Sequence, residues 1–495
     1  MKKQKLTAAV GIILVIMMTA SLVAMAAGYP DPGQSATNIV VQNLSTIAGE
    51  DASVVVEYYD TAGNLDATRS GVMIAPKAVQ EIKTQDEPLG DGWQGSAVML
   101  SDRPLGAVVS VKNSLVPGAA DGMTQGAYNG SAAGANTLYF PSVYSADAIV
   151  SRLTVQNTEG TAATVYMDYY DRVGSHRGQL TASIPAYSQR TFFMGEPTDV
   201  PFDPETFVDG AATVTSANLL VGAAVTTWSN RSASYQALTP SNQGGTLYAP
   251  SQYRYMESGD WVLFSALNLQ NTSATEVANV TATYVSRATG AVALVKTFTI
   301  QPLSAVGLNT KNGGDFPASD FDALTYGSGA DWDGSVKIES SQPLVGVCNT
   351  GWFKQQKAGA YALVTDNDAS NSLFFPAQYR LDWGSGWAQW SAVNLMNVGD
   401  SSIAAADLSI EYIDQAGTPV LTLSGGALPF DLAAGGALGL NSRGGGDLSA
   451  AQFDTLGLNF IGGIYVTAPA GSELVGVANI IYKNRASVYN AFPGQ

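Results

Sequence analysis

The chain repeats itself four times, and that repetition limits its fold more than any other feature of its 495 residues. A short apolar strand ending in Asn occurs at Ile39 to Asn43, Leu153 to Asn157, Leu267 to Asn271 and Val393 to Asn397. The terminal Asn recurs at spacings of 114, 114 and 126 residues. A strand reaching an aromatic residue and a turn follows each time: Tyr58 to Gly63, Tyr169 to Gly174, Tyr284 to Gly290 and Tyr412 to Gly417. Then comes a Gly-led strand, at Gly95 to Val98, Gly210 to Val214, Gly334 to Ile338 and Gly463 to Val466. A closing strand ends the set: Pro104 to Val109, Leu220 to Val225, Pro343 to Val347 and Leu474 to Val477. Joints rich in Gly, Ser and Ala separate the copies, and a Leu-aromatic-x-Pro entry strand opens three of them, at Leu138, Leu247 and Leu373. Pro there suits the start of an edge strand, where no ladder hydrogen bond is donated. The first copy lacks this full entry and offers only Tyr29-Pro30.

The segments are short, rich in Val, Thr, Tyr and Ile, and have a period of two, which reads as antiparallel β-structure. Glu57 marks a solvent face, so Val54, Val56 and Tyr58 point inward. The same parity turns Tyr169, Tyr284 and Tyr412 inward, each hydroxyl then needing one partner at the core edge. Units of 110–125 residues with six to eight strands fit an immunoglobulin-like sandwich and exceed the roughly 40–50 residues of a propeller blade. The expectation is an all-β chain of four tandem immunoglobulin-like antiparallel β-sandwich domains after an N-terminal signal peptide. The signal covers residues 1–26 and the modules 28–130, 131–237, 238–363 and 364–495.

The order Val-Gln-Asn, Tyr-Tyr-Asp-x-x-Gly, Gly-Ser-Ala-Val, Pro-Leu-x-x-Val and Tyr-Asn-Gly, followed by a Gly-rich joint, resembles tandem modules of uncharacterised secreted bacterial surface proteins. The resemblance runs from residue 38 to 490. It implies a sandwich fold and an extracellular setting, and it brings no catalytic residue. The third copy departs from it, with Tyr284-Val285-Ser286 and a turn one residue longer.

The N-terminus reads as an address. Lys2, Lys3 and Lys5 precede an uncharged run from Leu6 to Ala27, and Ala24-Met25-Ala26 fits a cleavage signal. An uncleaved anchor is the rival reading, since 22 residues just span a bilayer. Cutting after Ala26 removes three Lys and takes the net charge from −17 to −20. That charge argues against nucleic-acid and anionic-lipid partners. One Cys and one His exclude disulfide scaffolds and multi-ligand Cys or His metal centres.

Individual residues offer few sites. His176 sits in a turn with no group to orient it as a base. Cys348 ends a closing strand and reads as core. Acidic loops precede the Gly-led strands; Asp315, Asp320, Asp322, Asp331 and Asp333 form the densest, with calcium as the cofactor they would take and turn capping as the alternative. Tyr379, Trp383, Trp387 and Trp390 could stack on sugar rings or pack against a neighbouring module; strand parity places Trp390 outward. No hydrolase elbow, phosphate loop or zinc-protease motif occurs. The functional expectation is a non-enzymatic secreted or cell-surface structural or adhesive protein, shaped as a rod of four sandwiches. A carbohydrate- or protein-binding role through the aromatic loops, and a subunit of an extracellular polymer, are the alternatives. The partners implied are a cell-surface or extracellular protein or glycan, or further copies of the chain. No membrane association is expected after cleavage.

Overall fold

In the computed structural model the described residues are the backbone of 13–17 and residues 34–494, except 117–118, 120, 147, 288–289, 326–330 and 385. Of the segment read as a leader, only 13–17 is described; its cut site after Ala26 lies outside the described residues. The described chain is all-β, with several antiparallel sheets and 3₁₀ turns of three to seven residues. None of its helices is long and apolar enough to cross a membrane.

Each repeat places its strands in two layers. In the second, one layer runs His176–Ile184, Ala163–Asp171, the first half of Asp209–Trp228, then Ala135–Ala146. The other runs Gln189–Phe193, Ile149–Asn157, the second half of Asp209–Trp228, then Arg231–Gln236. The Gly-led and closing segments are thus one 20-residue strand that crosses between layers. The third and fourth repeats keep this order. The first uses two separate four-stranded sheets around a shared core that includes Ile39, Val56, Tyr58, Met99 and Val109. This order departs from the immunoglobulin one, in which the first two strands share a sheet. Here the entry strand and the Asn-ended strand lie in opposite layers and pair only beside their hairpin, as Val150 does with Ser145.

The register corrects two details. Asp60, Asp171 and Ser286 pair with Gly95, Gly210 and Gly334, and Asp414 pairs with Gly462. The fourth Gly-led strand therefore aligns on Gly462, one residue before Gly463. The entry prolines do not start strands. Pro141, Pro250 and Pro376 each fall inside a β-bulge, where two residues face one across the ladder. A bulge tolerates Pro because its extra residue makes no ladder bond.

The expected rod is not what forms. The repeats close into a ring, because each core runs on into the next repeat. Val221 and Ala223 of the second repeat join the core of the first. Val345 and Val347 of the third join the core of the second, and Val477 and Val488 of the fourth join that of the third. Val40, Val79, Val108 and Ala127 of the first complete the circle by joining the core of the fourth. The physical reason is strand parity. Ile39 and Val41 face their own core, so Val40 faces the other way, and an apolar face must be covered.

Candidate functional site

The residues repeated four times turn out to be scaffold. Tyr58, Tyr169, Tyr284 and Tyr412 are buried as expected. Each meets an aromatic edge: Trp93, Phe202, Phe321 and Phe453 respectively. Phe321 and Phe453 come from the 3₁₀ turns in the acidic loops, so those loops plug the cores. The expected hydroxyl partner is only partly found. Tyr169 donates to the Met167 sulfur at 2.6 Å, while the Tyr58 and Tyr284 hydroxyls have no partner among the described residues. Burial pushes all four phenols far up, so they stay neutral.

The terminal Asn anchors the loop that follows it. Asn271 Nδ2 donates to the carbonyls of Glu276 and Ile300 at 2.8 and 3.1 Å, and its Oδ1 accepts from the Ser273 amide at 3.0 Å. Asn43, Asn157 and Asn397 make the same set. A buried amide that satisfies carbonyls water cannot reach explains why Asn recurs here.

Contacts between repeats use the turns. Arg172, after the second tyrosine strand, donates to Asp209 at 3.1 Å and to Asn268 of the third repeat at 2.7 Å. Arg287 pairs with Asp333 of its own repeat and with Asp447 of the fourth at 3.0 Å. Lys77 of the first repeat pairs with Glu411 of the fourth at 2.9 Å. Gly417, at φ 89°, presses against the backbone around Pro76, so a side chain there would collide.

At the centre lie four last strands, Met123–Asn129, Arg231–Gln236, Lys357–Ala362 and Ala486–Asn490, one from each repeat. Tyr128, Tyr235, Tyr361 and Tyr489 occupy matching places on them. Tyr235, Tyr361 and Tyr489 donate to the carbonyl of the residue after each entry proline, at 2.9, 2.7 and 3.0 Å. The first and fourth repeats are tied here by Asn129 Nδ2 donating to Asn490 O at 2.8 Å and Asn490 N donating to Asn129 Oδ1 at 2.9 Å. The central cavity lined by these four tyrosines holds about 10 Å³, room for one water at most. The Tyr-Asn-Gly motif marks this segment in the first repeat, but not as a strand; its signal was the small-Tyr-polar triplet in Ala127-Tyr128-Asn129 and Ser234-Tyr235-Gln236.

At one end of the centre sit Arg231, Lys357 and Arg485. Lys357 is 5% exposed, and its Nζ donates to the Tyr482 carbonyl at 2.8 Å. Burial, aided by the charge of Arg443, pushes its ammonium down to about 8. Between pH 8 and the unfolded value of about 10.5 the unfolded chain binds more protons, so stability should rise with pH across that window. Below pH 8 the penalty stands in full. Lys357→Met is expected to stabilise the chain by on the order of 2 kcal/mol at pH 7, with the gain shrinking towards pH 10. Urea midpoints of the two proteins at both pH values check this; equal midpoints at pH 7 would contradict it.

The residues singled out from sequence do not converge on one site. Asp315 accepts from the Gly307 amide at 2.6 Å and lies 4.0 Å from Arg172. Asp320 pairs with Lys296 at 2.6 Å, Asp322 with Arg254 at 2.9 Å and Asp333 with Arg287, while Asp331 accepts from the Met256 amide at 3.1 Å. No two of these five carboxylates share a partner. Among the described residues no three acidic, His or Cys side chains gather as a metal site would require. Tyr379 is buried. Trp390, read as outward, is 8% exposed because Arg443 covers its ring at 4.5 Å and Lys357 of the third repeat at 5.6 Å. Arg380 stands over Trp387 at 5.2 Å. Of these four rings Trp383 is the open one, 72% exposed. His176 does not lie in the turn but opens the strand His176–Ile184, and, against the expectation that no group orients it, its exposed ring meets Asp168 at 2.8 Å. Cys348 is buried, accepting from Gln252 Nε2 at 2.9 Å, and burial pushes its thiol up.

No protein-family model matches the chain, and no curated protein matches it. Among solved structures, the Anabaena sensory rhodopsin transducer is similar over 18% of this chain and 92% of its own, at 17% identity and a TM-score of 0.15. A serine-rich repeat adhesion glycoprotein (Srr1) of Streptococcus agalactiae is similar over 53% of this chain and 89% of its own, at 10% identity and a TM-score of 0.10. Both likenesses are weak, and neither assigns the chain to a family.

Proposed function

We propose that the chain is a non-enzymatic structural or adhesive protein of the cell surface or extracellular space, built as a closed ring of four β-sandwich units. One observation carries this reading: what the sequence repeats four times is absorbed by core packing, loop anchoring and junctions between repeats. An enzyme that multiplied a module would repeat a reacting group; this chain repeats a Tyr, an Asn and a Gly that hold strands in place. The partner class is a surface protein or glycan. Of the aromatic rings exposed among the described residues, Trp383 is the most open to such a ligand. Antibody labelling of intact, unpermeabilised source cells, together with immunoblots of the culture medium, tests the reading. Labelling at the surface or recovery from the medium is expected; protein confined to the cytosol would refute it.

A further inference from the structure

In the second, third and fourth repeats the Gly-led strand is flanked on both sides, by the tyrosine strand and by the entry strand. The first repeat has no entry strand of the Leu-aromatic-x-Pro type, yet its Gly-led strand Gly95–Ser101 is also flanked on both sides. The second neighbour is Ile13–Met17, antiparallel. Its register matches the other repeats. Ile13 pairs with Met99 where Leu138 pairs with Val214, and Val15 pairs with Ala97 where Phe140 pairs with Ala212. Met17 pairs with Gly95 where Val143 pairs with Gly210.

The tether differs. Two residues join the entry strand to the next strand in the second and third repeats, whereas sixteen separate Met17 from Gln34. Without the segment, Gly95–Ser101 would be a sheet edge whose Ala97 and Met99 belong to the core. The stretch between a cut after Ala26 and Gln34 is seven residues with Pro30 and Pro32, against twelve in Ala135–Ala146. Two prolines so close cannot donate a continuous ladder.

We propose that Gly95–Ser101 is a strand-accepting edge and that its occupant is this chain's own segment 13–17, which therefore has a structural role besides any role in export. A cut after Ala26 removes a strand of the first repeat and leaves an edge that pairs with any suitable strand. The strand assignment stands whether or not the chain is exported, so it fails or survives separately from the proposed function.

The test is hydrogen exchange at residues 95–101 in three proteins: the full chain, a chain starting at Ala27, and the full chain carrying Leu14→Pro with Val15→Pro. Of two consecutive strand amides one must face the acceptor, so the double substitution breaks the pairing. Exchange is expected to be at least about 100-fold faster in the two altered proteins than in the full chain. A synthetic peptide of residues 2–19, with three Lys for solubility, should restore protection to the chain starting at Ala27. The peptide with both prolines should not. Unchanged protection in the altered proteins would overturn the proposal: a monomer mass would mean that residues 27–33 refill the edge, and a dimer mass that a second copy does. Failure of the native peptide to protect would overturn it as well.

Discussion

Val108→Asp is expected to destabilise the protein by about 4 kcal/mol and to loosen the fourth repeat, although Val108 lies in the first. Val108 is 1% exposed. Its neighbours Ala107 and Val109 face the core of their own repeat, while Val108 belongs to the core of the fourth, which also holds Leu373, Phe375, Leu395 and Tyr489. A carboxylate there would be buried with no cation to meet it, and water could not reach it without opening the junction. In a rod the same side chain would face solvent and the change would cost little. Val292→Asp is the control. Val292 is 59% exposed on an edge strand, and its replacement should stay within about 0.5 kcal/mol. Urea denaturation gives the midpoint, and hydrogen exchange at Ser372–Asp382 and Trp387–Asn397 reads the fourth repeat directly. An unchanged midpoint in Val108→Asp would contradict the junction.

Gly210→Ala should cost about 3 kcal/mol or more, from a single methyl group. A Cβ at Gly210 would collide with the carbonyl oxygen of Tyr170 on the paired strand and press on the Phe207 ring. The same collision awaits at Gly95, Gly334 and Gly462, with the carbonyls of Tyr59, Val285 and Ile413. The obstacle is backbone, held in a ladder on both sides, so it cannot move aside as a side chain end could. Gly49→Ala offers the contrast. Its position is open, and only the positive φ of 84° opposes a side chain. Thermal unfolding of both variants should show a fall in Tm several-fold larger for Gly210→Ala. Equal falls would mean that the close approach is not what the repeated Gly serves.

The inward tyrosines, the terminal Asn and the Gly at the start of its strand were legible because they recur and because a period of two assigns their faces. Closure into a ring was less legible, though it left a trace. Ile39-Val40-Val41 and Ala107-Val108-Val109 are apolar at both parities, which marks strands covered on both faces. Read as ordinary sandwich strands, they hid their second contact. The aromatic platform could not be judged from sequence, because the cations that cover it come from elsewhere. Arg443 reaches Trp390 from 53 positions later in the chain, and Lys357 reaches it from another repeat. The acidic loops misled for a similar reason, since Arg254 and Lys296, which pair with two of their carboxylates, lie in strands far from them in sequence. The missing entry strand of the first repeat was visible as a gap, but the sequence did not show what fills it.

Solution X-ray scattering of the monomer tests the closure of the four repeats on one another most directly. A closed ring of this length should give a radius of gyration of about 23 Å, the value for a compact chain of roughly 500 residues. Four units placed end to end, each about 30–40 Å along its strands, would give about 40 Å. A value near the first is the expected result; a value near the second would show that the first and fourth repeats do not meet.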